Sequence, residues 1–444
     1  MTGLNRFFVR ICILYPALLL THSCGLGGSA IFGGGGGALK ANLQNLSTFY
    51  KEEETTITGL ISSNNFFGAA SNIKRINSDN TYEDVMLEGQ LAIKDIYKSP
   101  SGETYMALSS NSRFFSSKEN YQRWRPCTIA YTDESKFVKC LYTIDTANYN
   151  ESSRLASPHY GSDPIQFDSS GRVYFLIDSS SSSEDSYASQ DQILFFDPST
   201  STTAALNTKQ AQFEIEHFTS LPGGGVLVAG TSVSGAWLRK IDLNGSLTAV
   251  GNKPLSRIQS IADGSFLIHE GNDIFSITSA GVLDPTPYIS QNAGSTPTHT
   301  VAGSLPIFGE NFTTVADKLL SYSSDTMAIY YPGVPEELSV SINIRELRPL
   351  SSNSVAIYGV DSGTDESKLI IFDLDTELET EVTSLNQYEI VDFSVDQESG
   401  TIYFGGTRYS DGSYVLGTVD TNNSNAVSII DTLRTGVSEI KSFN

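Results

Sequence analysis

Five histidines occur among 444 residues, and four of them, His159, His217, His269 and His299, lie beyond residue 23. None stands in an H-E-x-x-H frame or beside a second histidine at metal-ligand spacing, so no zinc-hydrolase helix is written here. The sequence also holds no G-x-S-x-G nucleophile elbow and no phosphate-cradling Gly-Lys-Ser. The glycines at 33–37 followed by Ala38 satisfy G-x-G-x-x-A, but no strand precedes them and no ribose-binding acid follows in a βαβ frame. The expectation is therefore no catalytic set, no metal and no cofactor.

Cys24 is the clearest modification site. Arg6 and Arg10 open the chain without an acid, residues 11–20 form an apolar run too short to span a bilayer, and Ser23 stands directly before Cys24. This is the layout of a secretory signal, and its end resembles the lipobox of bacterial lipoproteins, in which the cysteine is diacylated and becomes the mature N-terminus. Leu20 lies four residues before the cysteine, where such motifs normally place leucine three before it, a looseness that resembles spirochaete lipoproteins. Ordinary cleavage after Gly28-Ser29-Ala30 is the alternative. On this reading residues 1–23 are the signal, 24–54 a Gly-rich tether and 55–444 the folded body.

With Cys12 in the signal and Cys24 at the junction, Cys127 and Cys140 remain. Cys127-Thr-Ile-Ala-Tyr and Lys136-Phe-Val-Lys-Cys140 read as two strands about a turn at Asp133-Glu134. That register sets the two cysteines opposite each other in a non-hydrogen-bonded pair, where a cross-strand disulfide is feasible. Two buried free thiols are the other reading. Just upstream, Tyr121, Arg123, Trp124 and Arg125 gather aromatic and cationic side chains in a chain poor in positive charge. Trp and Arg most often anchor interfaces, which makes this run the expected partner-binding contact. Packing of Trp124 on the hairpin, with the arginines paired to acids, accounts for the same residues.

The elements that must position these groups repeat. Segments 165–175, 218–228 and 393–403 are one strand-turn-strand unit written three times. Anchor residues Ile96, Ile165, Phe218, Ile258, Leu347, Phe393 and Ile440 lie 40 to 89 residues apart, and the gap of 89 holds two units, with a weaker copy expected near 299–307. Units of about 40 to 50 residues suit four-stranded blades, so the chain is expected to be an all-β β-propeller with eight inner strands. Segments 55–62, 66–76 and 82–87 are expected to complete the last sheet, whose inner strand holds Ile440, leaving no open edge. Seven blades with a separate stalk over 38–88 is the alternative. Asp197, Asp242, Asp373 and Asp420, and Asp133 with them, each end an apolar strand and enter a turn. Such aspartates bond their own backbone two residues on; a shared Ca²⁺ role is the alternative.

Tight turns after the inner strands and the Asp turns share one face, which leaves the other for the loops 109–126, 179–192, 361–368 and 407–412, expected to be the binding face. Gly224-Gly-Val-Leu-Val-Ala-Gly with Ala236-Trp-Leu-Arg-Lys-Ile-Asp242, and Asp168-Ser-Ser-Gly-Arg-Val-Tyr-Phe with Ile193-Leu-Phe-Phe-Asp197, resemble the bacterial D-x-x-G-x-x-Y-V-x-G repeats of seven-bladed propeller lipoproteins, in degenerate form over about residues 90–444. The resemblance implies a propeller at the cell envelope and no shared catalytic residues. Trp124 and Trp237 are the only tryptophans, too few for the Trp-docking pattern of quinone-dehydrogenase propellers.

The formal charge of −22 becomes −24 when Arg6 and Arg10 leave with the signal, and it repels nucleic acid and anionic head groups. The expected protein is a monomeric, lipid-anchored propeller at the outer membrane or cell surface. It would bind a protein or other extracellular macromolecule through its loop face and touch the membrane only through the anchor. A channel-centred metal-dependent hydrolase or lyase using His217 and His269, arranged as in lactonase and lyase propellers, is a second class. A structural envelope lipoprotein is a third.

Overall fold

Val226, Leu227, Val228 and Ala229 are buried in succession, as are Val355 to Tyr358 and Tyr174 to Leu176. A strand buried at every position needs an apolar layer against both of its faces. The computed structural model describes residues 48–52, 73–77, 79–84, 93–108, 113–115, 124–132, 138–143, 153–155, 165–179, 192–206, 213–232, 235–251, 257–261, 263–270, 273–290, 297–298, 311–324, 326–434 and 436–443.

These residues form eight antiparallel sheets, each built on an up-and-down run of four strands. The inner strands are Val437–Ser442 (blade 1), Ile93–Lys98 (blade 2), Ile165–Phe167 (blade 3), Phe213–Ser220 (blade 4), Arg257–Ser260 (blade 5), Asn311–Val315 (blade 6), Ile342–Pro349 (blade 7) and Tyr388–Asp396 (blade 8). Inner strands of successive blades lie side by side, as in blades 3 and 4, 4 and 5, 6 and 7, and 7 and 8. The core fills the gaps between sheets. Leu227, Ala229 and Leu238 of blade 4 pack on Ile258, Phe266 and Ile268 of blade 5, while Val226 and Val228 turn the other way onto Tyr174 and Leu176 of blade 3. The chain is a β-propeller, with eight blades among the described residues.

Closure uses both ends of the described chain. The inner strand Val437–Ser442 pairs with Thr48–Glu52, followed outward by Ile73–Ile76 and Tyr82–Asp84. The second strand was expected at 55–62, which lies outside the described residues; the strand found is Thr48–Glu52, placed by the sequence reading in the tether. Its aromatic Phe49-Tyr50 pair was obscured by the Lys-Glu-Glu-Glu run that follows. Blade 6 also begins later than 299–307, at Asn311, because its first turn holds no glycine: Ala316 takes the positive φ of 51° and left no Gly to mark it.

The cysteine hairpin differs most. Cys127 pairs with Thr143 and Cys140 with Ala130, so the connection spans residues 133–137 rather than a two-residue turn. The cysteines stand three positions out of register, about 10 Å apart along the strand, beyond the reach of roughly 7 Å between Cα atoms that a disulfide tolerates. The direct pairing on which the cross-strand bridge rested is absent.

Candidate functional site

The two faces of the ring differ in how their connections are built. On one face, turns close with a repeated pattern: Gly171 donates to the Asp168 carbonyl, Gly224 to Leu221 and Gly264 to Ile261, each glycine at positive φ. Gly225 follows in the same conformation, and a Cβ there would meet the Ile241 carbonyl oxygen at 2.5 Å. This face is also stitched from blade to blade. Asp168 accepts the backbone amides of Ser170 and Arg172 at 2.9 and 3.0 Å and the Tyr174 hydroxyl at 2.9 Å, and that hydroxyl accepts the Gly225 amide of blade 4 at 3.0 Å. The D-x-x-G-x-x-Y unit is therefore an inter-blade fastening.

The Asp turns lie on this face too. Asp197, Asp373 and Asp420 accept the amides of Ser199, Asp375 and Asn422, two residues on. Asp242 does not; Asn244 takes the role by accepting Ser246. Asp133 lies outside the described residues. The Asp197, Asp373 and Asp420 carboxylates are thus engaged by their own turns, the arrangement expected of turn formers.

The opposite face carries the long connections between second and third strands, and they are unevenly spread. Blades 4, 5 and 6 turn within a few residues, at Ser232–Gly235, Glu270–Asp273 and Tyr322–Thr326. Blades 7 and 8 carry the loops after Asp361 and Arg408, blade 3 the one after Ser179, blade 2 the one after Leu108, and blade 1 the one after Glu52. Blades 7, 8, 1, 2 and 3 are consecutive around the ring, so the long loops form one arc.

Within that arc, blades 7 and 8 present exposed aromatic and cationic groups. Tyr409 is 57% exposed and Val391 54%. The Tyr409 amide donates to the Gln387 carbonyl at 3.0 Å, which ties the loop to the start of the inner strand. The Arg408 guanidinium lies 5.9 Å from the Tyr388 ring centre and 3.3 Å from Asp411. Burial raises the Tyr358 hydroxyl, against the hydrogen bond to the Ser367 hydroxyl at 3.2 Å, which lowers it. In blade 7, Asp361 accepts Lys368 at 2.7 Å and the amides of Gly363 and Thr364, and the Lys368 hydrogen bond leads in pulling that carboxyl down to about 2.

A second feature lies along the inner strands. Bulges interrupt them between Ile93 and Asp95, Ile215 and His217, Ile344 and Glu346, and Ile390 and Asp392. A bulge re-aims the side chain beside it, and each is followed by a polar residue just before the anchor hydrophobe. Asp392 accepts the amide of Ile440 in the next inner strand at 2.6 Å. Glu346 is ion-paired with Arg348 and keeps 24% of its side chain open. Burial, offset in part by Arg348 and reinforced by Asp392, lifts the Glu346 carboxyl to about 7. Burial also raises Asp392, against the Ile440 amide that lowers it. The sequence signal for this row, a polar residue directly before each anchor, is visible only once the anchors are aligned.

The expected site residues are placed as follows. Trp124 and Arg125 begin the third strand of blade 2, opposite Phe115 and Phe114; Tyr121 and Arg123, like Cys24, lie outside the described residues. His217 is buried, 2% exposed, on the inner strand of blade 4. His269 is on the second strand of blade 5, opposite Arg257 and Ile274, one strand farther from the axis. Among the described residues no group of three or more His, Cys, Asp or Glu side chains is disposed to hold a metal.

No protein-family model matches the chain, and no curated protein matches it. Among solved structures it is similar to the Porphyromonas gingivalis dipeptidyl peptidase 4, at 8% identity and a TM-score of 0.39 over 87% of this chain and 50% of that one. It is similar to the β-propeller domain of the Trilobed protease from Pyrococcus furiosus, at 11% identity and a TM-score of 0.37 over 64% of this chain and 84% of that one. It is also similar to prolyl oligopeptidase B from Galerina marginata, at 8% identity and a TM-score of 0.46 over 78% of this chain and 51% of that one. The chain thus spans about half the length of the first and third.

Proposed function

We propose that this protein is a lipid-anchored, extracytoplasmic, monomeric propeller that binds a protein or other extracellular macromolecule through the arc of long loops on one face. The observation that carries the reading is the uneven length of the second-to-third-strand connections, which take two or three residues in blades 4 to 6, five in blades 7 and 8, and twelve or more in blades 1, 2 and 3. Folding alone needs no such asymmetry, and loop insertions gathered on one side of a repeat array are where such proteins place contacts. Exposed Tyr409 and Val391 of blade 8, with Arg408 next to Tyr409 and exposed Arg345 at the bulge of blade 7, supply the residue types that anchor interfaces. Trp124 and Arg125 open the third strand of blade 2, at the end of the connection after Leu108, and Tyr121 and Arg123 precede them in the sequence. The Ser23-Cys24 junction supports the anchor, and the charge of −22 argues against nucleic acid as the partner.

Affinity capture from envelope extracts tests this, with wild type compared against Tyr409→Ala combined with Arg345→Ala, and separately against Trp124→Ala combined with Arg125→Ala. A partner retained by wild type and lost by either pair, at an unchanged melting temperature, is the expected outcome, each pair costing about 2 kcal/mol or more. Equal recovery by all three proteins would remove the loop arc as the contact.

A further inference from the structure

Closing a propeller with strands from distant parts of the chain leaves one structural element missing, and here that omission makes a cavity. In blade 3, Tyr174 precedes the residue paired with the inner-strand anchor, and its hydroxyl is met by the Gly225 amide in the first turn of blade 4. Tyr403 holds the same position in blade 8, one residue before Phe404, the partner of the anchor Phe393. The blade that follows is blade 1. Its first and second strands are Val437–Ser442 and Thr48–Glu52, so no short turn joins them to come down onto Tyr403.

A cavity of about 250 Å³ occupies that place, between the outer half of blade 8 and the turn of blade 1 that carries Asn80. Its floor is one face of the blade 8 sheet. Pairing sets Asp396, Thr401 and Asp420 in one row and Tyr403, Thr418 and Ser428 in the next. The corresponding position in blade 7 holds Ala356, packed in an apolar layer. Tyr403 is 6% exposed and Thr418 4%, and no described residue hydrogen-bonds the Tyr403 hydroxyl. Burial, and after it the charge of Asp396, raise that hydroxyl, which keeps it a donor.

We infer that this seam cavity binds a small neutral polyhydroxyl ligand of monosaccharide size. The lining contains two carboxylates and no cation, which disfavours anions. Asp396 is engaged by its own turn, accepting the amides of Glu398 and Ser399 and the Ser399 hydroxyl, and among the described residues no group of three or more His, Cys, Asp or Glu side chains is disposed to hold a metal, which disfavours a calcium ion. The remaining groups are hydroxyls from Tyr403, Thr418, Thr401 and Ser428, together with Asp420 and the Asn423 amide. They offer both donors and acceptors, which suits a ring bearing several hydroxyls. The volume lies below the range for drug-sized ligands and suits a single ring.

The test uses the full chain in a zwitterionic, sugar-free detergent, titrated by calorimetry and saturation-transfer NMR with glucose, galactose, mannose and N-acetylglucosamine. Glucose 6-phosphate and CaCl₂ serve as controls. At least one neutral sugar is expected to bind saturably and better than the phosphate. Tyr403→Phe and Thr418→Val are each expected to weaken it about fivefold, the magnitude of one lost hydrogen bond. Ser428→Ala, at an exposed position, is expected to weaken it without loss of fold, so the reading stays testable if a buried variant fails to fold. Failure of all four sugars, equal binding by the variants, or stoichiometric Ca²⁺ uptake lost on Asp420→Asn would each overturn the proposal. None of these outcomes bears on partner capture by the loop face.

Discussion

The Tyr174 hydroxyl donates to Asp168 and accepts the Gly225 amide, so one atom joins two blades where an apolar contact alone would let them slide. Removing it leaves the buried Gly225 amide without this acceptor, while Asp168 Oδ2 keeps the Arg172 guanidinium at 3.2 Å, and an orphaned buried donor costs more than the bond itself contributed. Tyr174→Phe is expected to lower stability by about 1 to 3 kcal/mol in a denaturant melt, with the aromatic packing on Phe195 retained. Glu346 is a residue-scale effect of opposite kind. Its carboxyl is lifted to about 7 from an ordinary value of 4.5, so the folded state holds the proton more tightly than the unfolded chain. That contribution is fully present below pH 4.5 and is lost as pH rises through 7. Asp361 works the other way, with its stabilisation present above 3.8 and lost as pH falls through about 2. Stability measured between pH 5 and 8 should therefore fall with rising pH by about 2 to 3 kcal/mol on account of Glu346, and Glu346→Gln should flatten that slope. A wild-type slope unchanged in the variant would show that another group titrates there. Asp168 and Tyr174 were legible because their spacing repeats; the environment of Glu346 was not, since its neighbour Asp392 comes from the next blade.

At the scale of the strand, the closing seam is held by shape as much as by hydrogen bonds. Gly405, on the second strand of blade 8, lies where an added Cβ would come within 2.6 Å of Val437 Cβ in the closing strand. Its φ is not in the left-handed region, so the constraint is close approach alone. Gly405→Ala should cost about 1 to 3 kcal/mol through overpacking and make the segment around Val437 more sensitive to limited proteolysis; an unaltered cleavage pattern would mean that the seam relaxes at no cost. Most inner strands were legible from their anchors, because an apolar residue facing a neighbouring blade recurs at one place in each unit. Two kinds of element were not. Blade 6 hid because Ala316 supplies the positive φ that glycine supplies elsewhere, and the partner of the closing strand hid because nothing local marks a strand whose mate lies 394 residues away. The hairpin of Cys127 and Cys140 failed for a third reason: with five residues at 133–137 outside the ladder, turn length cannot be read from composition, and register follows turn length. The loop face was legible in outline from its long loops, but the Arg345 and Val391 positions required the bulges to be seen.

At the scale of the whole molecule, each sheet has two buried faces and depends on both neighbours, so the ring has no free edge only while blade 1 is complete. Four contacts fasten it from the inner-strand side: Asp392 accepts the Ile440 amide, Ser394 accepts the Ser442 amide at 2.8 Å, Thr48 and Ser442 share a hydroxyl contact at 3.1 Å, and Lys441 sits 4.6 Å from the Tyr97 ring centre of blade 2. Beneath them, Val437 and Ile440 pack with Ile76, Tyr403 and Leu416. Deleting residues 437–444 would remove the only described partner of Thr48–Glu52 on that side and uncover the blade 8 face. Both an unpaired edge and an apolar face would then meet water. The consequence should not be confined to the seam, because blades 8 and 2 lose the layer that fixed their angle and pass the loss to their neighbours. The truncated chain is expected to replace a single cooperative thermal transition with a broad, lower one and to associate through its open edge, measured by calorimetry and light scattering. A truncated protein that melts in one sharp, monomeric transition within a few degrees of the intact chain would show that seven sheets hold the ring without the eighth.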